Sequence, residues 1–302
     1  TRPTEKTVPD HEYKLLAFFL SEGGLTTTEV LFSNVTQELI QECDEVVKCF
    51  DPTFHLYNVG KSSPEKFRIT NHTRKNVIID WLRKLNLWGC NSTTKFHPDF
   101  VFKLTKEQIF DYLRIWIDTD GSIPINRNRR PYITISLLSK DLIDGLIELF
   151  LRVGIQSIKY KQKTSKGKDL YRLDIYEKNS IISAYENIKT VKFNKIKKED
   201  IYGAAYPING LPSEAFEQYT NKSRVRTKLR FHNKNKNKYI TIPQFNKLLE
   251  IYPTDSYLNV IKNSHIVYDR ITEIEILPPE PTTSIQMEDP HNTFLIDNIV
   301  TH

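Results

Sequence analysis

Leu113-Arg114-Ile115-Trp116-Ile117-Asp118-Thr119-Asp120-Gly121 is an apolar run that ends in an acid and then glycine. Leu15-Leu16-Ala17-Phe18-Phe19-Leu20-Ser21-Glu22-Gly23-Gly24 has the same design 98 positions earlier. Each reads as a buried helix with one carboxylate at its C-terminal end, where glycine stops the helix. A carboxylate is electrostatically disfavoured there, because the helix C-terminus is already partly negative. Two such ends side by side call for a cation between them. Glu22 and Asp120 are therefore the candidate metal ligands. Asp118 is the weaker candidate, because its counterpart is Leu20.

Working outward, the first 200 residues parse as two copies of one unit. In copy one (10–90) a strand over Thr28–Val35 follows the first helix. A helix over Gln37–Phe50, strands over His55–Val59 and Lys66–Thr70, and a helix over Thr73–Trp88 come next. In copy two (105–200) the order recurs: a strand over Tyr132–Ser136 and a helix over Lys140–Val153. Strands over Ser157–Gln162 and Leu170–Ile175 and a helix over Asn179–Ile188 complete it. The shared order is α-β-α-β-β-α, which makes the chain α+β.

Charge divides the chain. The net charge is +6, yet Lys222, Arg224, Arg226, Lys228, Arg230, Lys234, Lys236 and Lys238 fall together with no acid among them. Residues 264–302 hold seven acids and one base. A basic body suits a polyanion, and 201–263 reads as an accessory region contacting it. A boundary falls near residue 264.

Mean hydropathy is −0.47 and no apolar run is long enough to span a membrane. Thr1–Glu12 is polar and carries no signal peptide. Cys43, Cys49 and Cys90 fit neither a disulfide framework nor a zinc site, so a reducing, intracellular location is expected. The chain does not begin with Met and reads as an excised or processed piece.

Hydrolysis of a phosphodiester at neutral pH needs an activated water and a neutralised oxyanion. Magnesium or a similar divalent cation such as manganese does both with hard oxygen ligands. The strands after each acid are expected to face double-stranded DNA. Arg127, Arg129 and Arg130, in a loop with Asn126 and Asn128, suit base edges. Lys159, Lys161, Lys163, Lys166 and Lys168 suit phosphates, and Arg224, Arg226, Lys228 and Arg230 suit a clamp on the backbone.

These segments resemble the paired motifs of LAGLIDADG homing endonucleases, most closely over Ile117-Asp118-Thr119-Asp120-Gly121-Ser122-Ile123. Lys95-Phe96-His97-Pro98 resembles the family's lysine-proline element, and Ser139–Ile155 its helix after the second-copy strands. The resemblance covers about residues 10–200. It implies a pseudo-two-fold monomer of α-β-β-α-β-β-α halves, magnesium at Glu22 and Asp120, and cleavage of both strands of a long DNA target. It also implies an assisting lysine in each half: Lys95 in the first, and Lys195 or Lys197 in the second. The family's motif helices meet through small residues. Ala17 fits that pattern, and Ile115 does not.

The tail, Glu288-Asp289-Pro290-His291-Asn292-Thr293-Phe294-Leu295 and Asp297-Asn298-Ile299-Val300-Thr301-His302, resembles the C-terminal splicing blocks of inteins. That resemblance implies an all-β Hint segment over 264–302, with His291 as the block histidine and His302 as the penultimate histidine. The terminal asparagine and the N-terminal block are missing, so the splicing partner would be an N-terminal intein segment outside this chain. Two other readings share the sequence. One is a splicing component with a decayed nuclease. The other is a non-cleaving relative that binds DNA or RNA.

Overall fold

The computed structural model describes residues 8–25, 29–60, 65–70, 76–126, 130–202, 211–212, 216–220, 239–240, 242–263, 294–296 and 299–301. The chain divides into two compact units, Thr1–Pro207 and Ile208–His302.

The first unit is built twice over. Half one runs α1 (Asp10–Glu22), β1 (Gly23–Leu25), β2 (Val30–Asn34), α2 (Gln37–Phe50), β3 (His55–Gly60), β4 (Glu65–Thr70) and α3 (Val77–Lys84). A 3₁₀ turn at Asp99–Lys103 leads into half two. This runs α4 (Lys106–Asp118), β5 (Gly121–Ser122), β6 (Ile133–Leu137), α5 (Lys140–Arg152), β7 (Ile158–Lys163), β8 (Asp169–Ile175) and α6 (Lys178–Asn187). Each half holds a four-stranded antiparallel sheet, ordered β1-β2-β4-β3 and β5-β6-β8-β7. The fold is thus α+β with two antiparallel sheets of the same topology. The short β1 and β5 extend the order read from periodicity; two or three residues carry no alternation to read.

α1 and α4 lie against each other at the centre. From Leu15 to Leu20 every side chain of α1 is buried, the mark of a helix enclosed on all sides. The pairing has a constant register. Gln108 Nε2 donates to Asp10 Oδ1 at 3.0 Å, and Tyr13 OH donates to Asp111 Oδ2 at 3.0 Å. Both pairs are 98 residues apart, so the helices run side by side in the same direction. The start is fixed by a capping box, in which Thr105 Oγ1 accepts from Gln108 N at 3.3 Å and Gln108 Oε1 accepts from Thr105 N at 3.2 Å. Ala17 and Ile115 are both fully buried.

The second unit has its own apolar cluster of Phe216, Tyr219, Ile240, Phe245, Leu248, Leu258 and Ile261. It contains α8 (Glu217–Thr220), α9 (Ile242–Ile251), α10 (Ser256–Asn263) and the paired strands β9 (Leu211–Pro212) and β10 (Tyr239–Ile240). The tail forms a hairpin of β11 (Phe294–Ile296) and β12 (Ile299–Thr301). Among the described residues no helix is long and apolar enough to cross a membrane.

Candidate active site and nucleic-acid face

The two central helices end alike. Ser21 Oγ donates back to Ala17 O at 2.8 Å, and Thr119 Oγ1 donates back to Ile115 O at 2.7 Å. The next residue in each is the acid, and the one after is the glycine. That glycine does not adopt the left-handed conformation of a helix stop; Gly23 is extended at φ −84°. Its role is close approach. A Cβ on Gly23 would lie 2.5 Å from Phe19 O, and one on Gly121 would lie 2.7 Å from Ile117 Cα. The chain can therefore leave each helix within contact of its last turn and place the acid at the rim.

A lysine closes each helix end, buried in half one and half-buried in half two. Lys95 Nζ donates to Phe19 O at 2.6 Å, Leu20 O at 3.0 Å and Gly23 O at 2.7 Å. In half two the lysine in this position is Lys192, which donates to Ile117 O at 2.7 Å, Thr119 O at 3.4 Å and Gly121 O at 2.5 Å. Lys195 ends the 3₁₀ turn that begins at Val191, and Lys197 follows it ahead of α7 (Lys198–Tyr202). The expectation that Lys195 or Lys197 matches Lys95 is thus corrected to Lys192. The signal lay in the repeat: Lys95 plus the offset of 98 lands one residue beyond Lys192. Parallel helices bring two negative dipole ends together, and an ammonium on each offsets them.

The acids are electrostatically coupled. Burial first, and then repulsion by Asp120, push the Glu22 carboxyl up to about 7. Asp120 keeps an open face to solvent but is crowded by protein atoms, and that desolvation raises it to about 6. The lysine charges oppose both shifts. Desolvation lowers Lys95 to about 8, and Lys192 is lowered in the same way. Asn34 Nδ2 reaches Glu22 Oε1 at 3.4 Å. No cluster of three or more His, Cys, Asp or Glu able to hold a metal occurs among the described residues. The donor set is two hard carboxylates, each destabilised by burial. It fits a hard divalent cation that draws its other oxygens from water and phosphate.

Asp118 points away from this pair and is bound by Thr190 and Arg114. Lys95 is anchored from half two: Ser139 Oγ donates to Lys95 O at 2.6 Å. Nearby, His97 is buried between Tyr112 OH at 2.8 Å and Leu142 O at 3.0 Å.

Strand register defines the open faces of the sheets. Ile133, Ile135, Leu173 and Ile175 point inward, so Thr134, Ser136, Arg172 and Asp174 lie on the opposite face, where Asp174 is itself buried and pairs with Arg172 at 2.8 Å. Tyr160 lies opposite Arg172 in the register, and the guanidinium sits 5.1 Å from its ring centroid. In half one Tyr57 lies opposite Arg68 in the register, and the Arg68 guanidinium pairs with Glu29. Lys159, Lys161 and Lys163 alternate with Tyr160 and so point to the opposite side. Lys159 pairs with Asp144 of α5 at 2.6 Å, and Lys161 and Lys163 pair with Asp169 at 3.1 and 2.5 Å. The register thus places these three lysines, expected to meet phosphates, on the helix-facing side of the sheet and in ion pairs; Lys168 sits in the following turn, exposed. Arg130, Tyr132, Arg172 and Asp174 border a cleft of about 320 Å³ on the open face. Sequence reading singled out neither Arg68 nor Arg172; the period-two alternation of β4 and β8 was the available signal. Arg127, Arg129, Arg224, Arg226, Lys228, Arg230, His291 and His302 lie outside the described residues.

Residues 107–189 match the family model described as a LAGLIDADG-like domain. Among curated proteins, the chain is 24% identical over 267 residues to a replicative DNA helicase DnaB of Synechocystis sp., covering 79% of this chain and 30% of that protein. It is 31% identical to the DnaB of Rhodothermus marinus over 39% of this chain and 13% of that protein. It is 29% identical to the DNA-directed RNA polymerase subunit Rpo1C of Methanocaldococcus jannaschii over 49% of this chain and 16% of that one. The chain thus spans under a third of these relatives. Among solved structures, I-DmoI in complex with DNA and Mn aligns at TM-score 0.44 and 11% identity, covering 60% of this chain and 97% of that one. The N-terminal LAGLIDADG domain of DUF199/WhiA aligns at 0.40 and 13%, covering 64% and 90%.

Proposed function

We propose that this chain is a site-specific DNA endonuclease that cuts both strands of a duplex, using a divalent cation held by Glu22 and Asp120. The observation that carries this reading is the duplicated helix end. Two acids that repel each other stand side by side at one rim, each behind a lysine-capped helix. Magnesium or manganese bound there would supply an activated water and neutralise the developing oxyanion. Glu22 and Asp120 would hold the cation, and each would serve one strand. Lys95 spends all three of its hydrogens on carbonyl oxygens, as Lys192 does. They act as fixed positive charges that hold the acids in place and favour an incoming phosphate. The open sheet faces, with Arg68 and Arg172, would contact the duplex. With both halves in one chain, a monomer suffices.

Segments similar to parts of this chain occur in a helicase, an RNA polymerase subunit, an aminotransferase and a translation initiation factor, over 30%, 16%, 27% and 17% of their lengths. Those four activities have nothing in common. A shared segment of that size fits a mobile insertion, and the tail supports an intein C-terminal portion, with a separate N-terminal segment as its splicing partner.

The test is a cleavage assay with magnesium, on DNA that spans the uninterrupted insertion site. Clean double-strand breaks, lost in Glu22→Gln and in Asp120→Asn, are the expected result. Tight binding without cleavage in magnesium or manganese would instead support a non-cleaving relative.

A further inference from the structure

Half two carries a polar relay built on Asp118, where half one has Leu20. The Asp118 side chain is 1% exposed, and both its oxygens are engaged. Oδ1 accepts from Thr190 Oγ1, and Oδ2 accepts from Arg114 Nη1 at 3.4 Å. Thr190 Oγ1 accepts in turn from the backbone N of Lys192 at 3.2 Å, at the start of the turn that carries this lysine. Arg114 is held from its other side by Asp111 at 2.9 Å and by Glu42 of α2 in half one. At the matching place in half one stands Leu20, buried and apolar. There Lys95 is fixed through its own carbonyl by Ser139.

We infer that Asp118 is a positioning residue that acts through Thr190 on Lys192, so that only the strand cut by the Asp120 half depends on it. The strand assignment rests on the endonuclease reading above; the positioning of Lys192 does not. The chemistry is specific to an acid. A carboxylate accepts from both the Thr190 hydroxyl and the Arg114 guanidinium, whereas an amide would turn a donor toward one of them. Both Asp118 oxygens are turned to protein donors in a buried pocket, whereas Asp120 is exposed, which separates their roles.

Two measurements test this, both on the full chain. In the first, single-turnover cleavage of a duplex labelled on each strand is followed in Thr190→Val, Thr190→Ser and Asp118→Asn. Thr190→Val and Asp118→Asn should slow one strand by about tenfold or more and leave the other within about twofold. Thr190→Ser, which keeps the hydroxyl, should restore the rate. Lys192→Met should slow the same strand, and adding Thr190→Val to it should change nothing further. Equal slowing of both strands, or none, would overturn the inference. In the second, amine labelling of the metal-free protein without DNA reads Lys192 directly. Thr190→Val should raise labelling of Lys192 several-fold relative to Lys95, and an unchanged ratio would sink the relay. If labelling rises but the wild-type chain cuts no DNA, the relay stands and only the nuclease reading falls.

Discussion

At Glu22 and Asp120 the fold keeps two carboxylates where their charge is disfavoured, and this has a measurable cost. Their folded values of about 7 and about 6 lie above the ordinary 4.5 and 3.8. The folded chain therefore holds extra protons across that window. Their contribution to stability is full at acid pH and is lost as pH rises through about 6 to 7. His97 runs the other way, because burial lowers it to about 4. Its contribution is present above the usual histidine value and is lost as pH falls through about 4. The two acids are best isolated by comparing the wild-type chain with Glu22→Gln/Asp120→Asn, both without metal. The variant should melt higher at pH 8, and the difference should shrink towards zero near pH 4. Magnesium should raise the melting temperature of the wild-type chain alone, since a cation bound to the native state stabilises it by mass action. A difference that stays flat from pH 4 to 8 would mean that the acids are not strained.

At the scale of the element, the helix-strand junction is set by sterics that a sequence only half reveals. The acid-glycine endings were legible because they recur, and they located both central helices. The reason for the glycine was not legible, since a left-handed stop and a close approach ask for the same residue. The contacts at Gly23 and Gly121 separate them. Gly23→Ala and Gly121→Ala should each destabilise the protein by about 1–3 kcal/mol in denaturant unfolding. Gly24→Ala, whose Cβ would meet Leu31 at an ordinary 3.4 Å, should cost under about 1 kcal/mol. Strand β7 shows a second limit. Alternation places Lys159, Lys161 and Lys163 on one face but not on a named side; Asp144, on a neighbouring helix, decides that. Arg172→Ala should therefore weaken DNA binding more than Lys159→Ala or Lys163→Ala does, measured as affinity at fixed salt. The reverse order would place the duplex on the other face.

Across the whole molecule, duplication made most of the first unit readable, since each half checks the other's periodicity. What escaped was tertiary in origin: Thr190 matters because of where its backbone returns, which no local pattern encodes, and Lys192 was marked only by the offset of the repeat. The second unit gave little more than its charge. It still makes a firm prediction about division of labour. The chain divides into its two units after Pro207 in sequence, and each unit has its own apolar cluster. The helix ends and both sheets belong to the first, whereas the eight bases of 222–238 belong to the second. A chain ending at Pro207 should melt cooperatively and keep metal-dependent cleavage at low salt. It should bind DNA more weakly, with a shallower dependence of affinity on salt, because each phosphate neutralised contributes about 0.9 to that slope. A full complement of eight contacts would flatten the slope by about 7. If the truncated chain binds with an unchanged slope, the basic run does not touch the backbone. If it fails to melt cooperatively, the two units depend on each other for folding.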